Sequence, residues 1–262
     1  MKILRRLKSV LVVIGLLAGL FYFFYMSPRR VVPILMYHSI SGDKTSSLNV
    51  TPENFARQVE FLNRGDYSVI PLDELVEGIR KEKKFSSKTV VITFDDGHED
   101  NYLNAFPVLA KHKMTATIFL VAGYIGEREG YLKWDQVNLM KENGIDFGGH
   151  TVNNVYLPSI EDTRTLWWEV SGSKEIIKGE TGEAPKYFCY PTGGFNAKIK
   201  NAVIRAGYKG ACTTNRGFDK LNKDVYELNR VKITNSDMTK PFHFRAKLSG
   251  YYNLFRSLKK GD

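Results

Sequence analysis

The chain has 262 residues, 43% of them hydrophobic and 25% charged, which suits one large globular domain. That usage excludes a wholly disordered chain and a multi-span membrane protein, and two cysteines exclude a disulfide-dense scaffold or a four-cysteine zinc site. The formal net charge is +10, but Lys2, Arg5, Arg6, Lys8, Arg29 and Arg30 supply six of the ten, so the charge does not point to nucleic acid as a partner.

From Ser9 to Pro28 no residue is charged. Twenty helical residues span about 30 Å, one hydrocarbon core. The expectation is therefore a basic cytoplasmic tail over 1–8, an uncleaved transmembrane signal anchor over 9–28, and a body over 30–262 facing outward from the cytoplasmic membrane. Basic residues dominate the N-terminal flank, and bulky Phe21 to Tyr25 replace a small-residue cleavage site. No GxxxxGK[ST] or GxGxxG run argues for a nucleotide cofactor.

The body alternates apolar runs with helical patterns. Strands are predicted over Val31–Tyr37, Thr89–Phe94, Thr115–Val121, Asp146–Gly149, Tyr187–Tyr190 and Gly210–Thr213. Helices are predicted over Thr51–Arg64, Leu72–Lys83, Tyr102–Lys113, Trp134–Glu142, Thr163–Gly179 and Ala197–Ala206. The first begins with a Thr cap and a Pro. Such alternation predicts a parallel sheet or barrel with crossover helices, whose chemistry sits at the C-terminal strand ends. A basic amphipathic helix is read over Lys247–Lys260, packed on the barrel or lying on a membrane surface. Cys189 and Cys212 either pair once or remain buried thiols.

Polar clusters fall at those strand ends: His38, Asp95-Asp96-Gly97, His150-Thr151 and Pro191–Gly194. Adjacent carboxylates at a strand end point opposite ways, so one can bind a metal while the other moves a proton. A His after a buried strand, with a polar group four residues on, has metal-ligand spacing.

Met36-Tyr37-His38, Thr93-Phe94-Asp95-Asp96-Gly97, His150-Thr151-Val152-Asn153, Tyr190-Pro191-Thr192-Gly193 and Leu228-Asn229-Arg230 resemble, in order and spacing, the polysaccharide deacetylases of carbohydrate esterase family 4. The resemblance covers about Val31 to Ile233 and is closest to the branch with an N-terminal Met-Tyr-His strand, which includes poly-β-1,6-N-acetylglucosamine deacetylases. It implies an α/β fold, a distorted (β/α) barrel, and metal-dependent removal of N-acetyl groups from an N-acetylhexosamine polymer of the envelope. It implies Asp95 as base, His38 as acid, Asp96 and His150 as metal ligands, and an oxyanion donor near Thr192. Zinc is the expected metal, with cobalt, nickel or manganese as alternatives.

The third family ligand, a His, is Asn154 here, a poorer zinc donor. Either Asn154 ligates, or His98 takes its place, or the site has lost metal and the protein only binds glycan. O-deacetylation is a further alternative. Cys189 stands where the family has an Arg, so Arg230 is read as the group that keeps Asp95 ionised. Tyr190 and Trp134 are read as substrate-facing, Trp134 being favoured over Trp167 and Trp168 for sugar stacking. His243 is the alternative acid.

Overall fold

The structure is a computed structural model describing residues 2–27, 30–43, 46–239 and 241–254. The chain divides into two compact units, residues 1–31 and 32–262.

The first unit carries α1 (Lys2–Phe21), followed by a π-helical turn over Tyr22–Met26. The expected transmembrane helix is not found. Among the described residues no helix is long and apolar enough to cross a membrane. The reason is where the helix begins and ends. Lys2, Arg5, Arg6 and Lys8 fall inside α1, and its uncharged part runs only from Ser9 to Phe21. Thirteen residues rise about 20 Å, short of a hydrocarbon core of about 30 Å.

The second unit contains β1 (Ile34–Tyr37), β2 (Ser68–Val69), β3 (Thr89–Phe94), β4 (Thr117–Leu120), β5 (Asp146–Gly149), β6 (Tyr187–Cys189), β7 (Gly210–Cys212) and β8 (Val231–Lys232). All their pairings are parallel, in the order β7-β6-β5-β4-β3-β1-β8, with β2 beside β3. Just before β8, Leu228 makes a parallel bridge to Cys212, and the Thr213 N–H donates to its carbonyl at 2.9 Å. One segment thus touches both β7 and β1, and the sheet curls into a half-barrel. The expected parallel α/β architecture holds.

The central strands β3 and β4 are fully buried runs rich in β-branched residues, because both of their faces are covered. The strand period of two sorts the side chains. Leu35 and Tyr37 of β1 and Val90, Ile92 and Phe94 of β3 join the helix-side core, where Tyr37, Phe55 and Phe94 pack as a ring cluster with centroids 5.3–5.7 Å apart. Ile34, Val91, Tyr187, Cys189, Cys212 and Leu228 fill the inner core. Continuing that inner row carries Met36, His38, Asp95 and Arg230 to the cavity at the strand ends.

The helices are α2 (Pro52–Arg64), α3 (Leu72–Arg80), α4 (Phe106–Lys111), α5 (Trp134–Glu142), α6 (Thr163–Trp167), α7 (Ser173–Thr181), α8 (Ala197–Arg205) and α9 (Pro241–Leu248). Side-chain caps explain several starts. Thr51 accepts from the Asn54 N–H at 3.3 Å, and Asn196 from the Ile199 N–H at 3.0 Å.

Two predicted helices are not continuous. Over Tyr102–Lys113 a π turn, Asn101–Ala105, precedes α4. Over Thr163–Gly179 a π turn, Trp168–Gly172, separates α6 from α7. Such turns recur at functional sites, and both carry residues that hold this one. The amphipathic helix expected over Lys247–Lys260 is met only in part: α9 ends at Leu248, and residues 255–262 lie outside the described residues.

Candidate active site

A cavity of about 400 Å³ opens at the C-terminal strand ends, lined by Met36, His38, Asp95, Asp96, His150, Asn154, Thr192 and Arg230, with Leu48, Thr214, Asn215 and Lys232. It gathers residues spread over nearly two hundred positions of sequence. Non-glycine residues with positive φ are costly. Among the described residues there are eight, and four of them (Asp96, Thr151, Asn154 and Thr192) sit on these loops.

Asp95 continues the inner row of β3 and is 3% exposed. Arg230 meets it with both arms of its guanidinium, Nη1 to Oδ1 and Nη2 to Oδ2, each at 2.6 Å. Arg230 also donates to the Thr213 carbonyl at 2.8 Å, to Thr93 Oγ1 at 3.1 Å and to Cys189 Sγ at 3.1 Å. Burial alone would push the Asp95 carboxyl up. The guanidinium outweighs it, and Asp95 is held below the ordinary carboxylate range.

His38 Nε2 lies 3.7 Å from Asp95 Oδ2. Burial lowers the affinity of its ring for a proton, partly opposed by Asp95 and Asp96. Its backbone is held from the π turn that follows β3. Asn101 Nδ2 donates to the His38 carbonyl at 2.9 Å, and Asp100 accepts from the Ile40 N–H at 2.8 Å and the Ser39 hydroxyl at 2.6 Å.

Asp96 turns away from Asp95 in the left-handed region, φ +74°. Its Oδ1 lies 3.5 Å from His150 Nε2 and 3.3 Å from Asn154 Nδ2. Its Oδ2 lies 3.4 Å from His98 Nε2. Burial would raise the Asp96 carboxyl, but His150 and His98 more than offset it and hold it well below the usual range. The His98 ring stacks on Tyr131, centroids 5.2 Å apart. His98 thus stands on the far oxygen of Asp96 from His150 and Asn154.

His150 Nδ1 lies 2.8 Å from the Cys189 carbonyl. A carbonyl only accepts, so Nδ1 carries a proton, and Nε2 is the nitrogen that faces Asp96 and the cavity. Asp96, His150 and Asn154 therefore offer a carboxylate, an imidazole and an amide to one point of the cavity. A half-turn of the Asn154 amide presents its oxygen. This donor set fits a divalent cation that accepts mixed nitrogen and oxygen ligands. Asp95, His150 and Cys189 also have donor atoms within 4.8 Å of one another. That set suits a cation less well. Arg230 occupies both Asp95 oxygens, and burial pushes the Cys189 thiol up, so it keeps its proton.

The turn Pro191–Gly193 has Thr192 at φ +53°. The Gly193 and Gly194 N–H groups donate to the Tyr190 and Pro191 carbonyls at 2.8 and 3.2 Å, so the Thr192 N–H stays outside those bonds.

Asp95, Asp96, His38, His150, Asn154, Thr192 and Arg230, all read from sequence, come together here. Two others do not. Cys189 points inward, so its neighbour Tyr190 points outward. Tyr190 is fully buried, with its hydroxyl donating to the Tyr226 carbonyl at 3.0 Å. Trp134 packs half-buried on the helix-side core at the start of α5 and does not line the cavity. Trp167 and Trp168 are exposed elsewhere, and His243 is exposed on α9. Cys189 and Cys212 are both free and buried, in register on adjacent strands.

Glu169 was invisible in the sequence. It is 3% exposed and accepts from the Val152 N–H and the Asn153 N–H, each at 3.0 Å, and from Asn153 Nδ2 at 2.7 Å. It fixes the loop that carries His150 and Asn154. A lone Glu after two tryptophans in a helical pattern reads as solvated, and the π turn that aims it inward leaves no mark in the periodicity.

The chain is similar to known proteins over most of its length. Residues 82–211 match the family Polysaccharide deacetylase. The chain is 33% identical over 203 residues, 78% of its length and 71% of the relative's, to YxkH of Bacillus subtilis, named for polysaccharide deacetylase. It is 29% identical over 225 residues to a poly-β-1,6-N-acetyl-D-glucosamine N-deacetylase of Staphylococcus epidermidis, covering 80% of this chain and 78% of that one. Among solved structures it superposes on the Streptococcus pyogenes deacetylase PplD in complex with acetate, with a TM-score of 0.76, 26% identity, and 83% and 97% of the two chains covered. An acid pair and a histidine at the ends of a curled parallel sheet, and this degree of likeness, give one conclusion: the chain belongs to the polysaccharide deacetylase family and is a carbohydrate deacetylase.

Proposed function

We propose that the protein hydrolyses N-acetyl groups from an N-acetylhexosamine polymer of the cell envelope, outside the cytoplasmic membrane, using a divalent metal, zinc in the first instance. One observation carries the reading. A buried carboxylate kept ionised by Arg230 shares one cavity with His38 and with the convergent donors of Asp96, His150 and Asn154.

Asp96, His150 and Asn154 would hold the metal, and when bound it would polarise the amide carbonyl and lower the pKa of a water molecule. Asp95 orients that water and takes its proton as the water oxygen bonds to the acetyl carbon. A carboxylate held so low is a weak base, so the proton moves on readily. His38 Nε2, 3.7 Å away and neutral at rest, is the group to receive it. The imidazolium then returns the proton to the sugar nitrogen as the C–N bond breaks, giving acetate and a free amine. The Thr192 N–H stabilises charge on the acetyl oxygen.

The test is acetate release from β-1,6-linked N-acetylglucosamine oligomers, with Asp95→Asn as control. Release by the parent and its loss in the variant support the reading. Oligomer binding without release would turn the assignment to a glycan-binding protein, and release only from O-acetylated glycans to an O-deacetylase.

A further inference from the structure

Three loops feed the cavity, and each places an aromatic ring just beyond it. Asn154, Thr192 and Asn215 line the cavity, and Tyr156, Phe195 and Phe218 follow them by two or three positions. The rings meet. Phe195 stacks on buried Tyr190, centroids 4.9 Å apart at 18°, and Phe218 meets Phe195 edge-on at 5.8 Å. Tyr156 lies over Gly194, where a Cβ would come within 2.2 Å of its ring, so only glycine admits the contact. Tyr156 remains 45% exposed and Phe218 81%.

Single exposed apolar residues are ordinary. This strip differs because its most exposed member is held in place. The Phe218 N–H donates to Glu227 Oε2 at 2.7 Å and the Gly217 N–H to Asn229 Oδ1 at 2.9 Å. Asn229 Nδ2 donates to the Asp219 carbonyl at 2.9 Å. Glu227 and Asn229 are buried, 7% and 2% exposed. Asn229 immediately precedes Arg230, so one short segment fixes both the Asp95 partner and the Phe218 loop.

The cavity, about 400 Å³, lies near the lower end of ligand pockets, roughly 300–1,000 Å³. A polymer must therefore run out over the rim. Pyranose rings present apolar C–H faces, and aromatic side chains offer rigid, flat area at little entropic cost.

We propose that Tyr156, Phe195 and Phe218 form a stacking subsite for the sugar units that flank the one being deacetylated. The subsite rests on the deacetylase reading and confers a preference for long chains. Continuity with the cavity favours a glycan over a membrane surface as its occupant.

The test is kcat/KM for acetate release from dimers and pentamers of β-1,6-linked N-acetylglucosamine, for the parent, Phe218→Ala and Tyr156→Ala. Both substitutions are at exposed positions, and circular dichroism should show both variants folded. The parent should prefer the pentamer, and each variant should lower the pentamer-to-dimer ratio about three- to tenfold. An unchanged ratio in both variants overturns the subsite. So does co-sedimentation with phosphatidylglycerol vesicles that Phe218→Ala abolishes while the ratio stays fixed. If the parent releases acetate from neither oligomer, the catalytic reading fails and pentamer binding by calorimetry decides the subsite. Weaker binding in Phe218→Ala upholds it; equal or absent binding in both proteins overturns it.

Discussion

Arg230 and Asp95 face each other through two hydrogen bonds of 2.6 Å, with neither side chain more than 4% exposed. Breaking a buried pair by removing one partner leaves an uncompensated charge, at a cost of about 3–5 kcal/mol. Arg230→Met should lose about that much stability in a urea titration at neutral pH. Because the Asp95 carboxyl is depressed, the stabilisation is full above the unfolded value of about 3.9 and is lost as pH falls through the lower folded value. The acid limb of kcat/KM should accordingly move to higher pH in Arg230→Met. An unmoved limb would remove Arg230 from the account of how Asp95 stays ionised. Arg230→Lys should recover part of the stability, since it keeps the charge and loses the fork.

His38 stands 3.7 Å from Asp95 and is neutral at rest. His38→Gln should lower kcat about 10²- to 10⁴-fold with KM nearly unchanged, as expected for a proton carrier. A matching loss in KM alone would make His38 a binding residue instead.

The Asn154 side chain reaches the Asp96 oxygen that His150 also faces. Calorimetric zinc titration should find His150→Ala weaker than the parent, and Asn154→His tighter, each by about tenfold or more. Dialysis against a chelator should abolish acetate release and zinc should restore it. Equal zinc affinity in all three proteins would move the metal to another set of residues.

Glu169 accepts three hydrogen bonds from the 152–153 segment. Glu169→Ala should cost about 1–3 kcal/mol by leaving buried donors unpaired. It should also weaken metal binding about 10- to 100-fold, because the loop it releases carries His150 and Asn154. Normal metal affinity in a destabilised variant would confine Glu169 to the fold.

The sequence by itself determined the parallel α/β architecture. The runs that end at His38 and Asp95 are apolar and lead straight into polar residues, and parallel strands collect such residues at one edge. It also determined which residues meet there, since Asp95, Asp96, His150 and His38 stand directly at strand ends. It even contained the reason Tyr190 misses the cavity: a period of two sends it outward once Cys189 points in. What the tertiary structure decided depends on segments distant in the chain. Arg230 meets Asp95 only because the 228–232 segment returns between β7 and β1. Glu169 turns inward through a π turn, and the apolar N-terminal run divides at Phe21. Hydrophobic periodicity records which face is buried, but it does not record where a helix changes its winding or which distant strand closes a sheet.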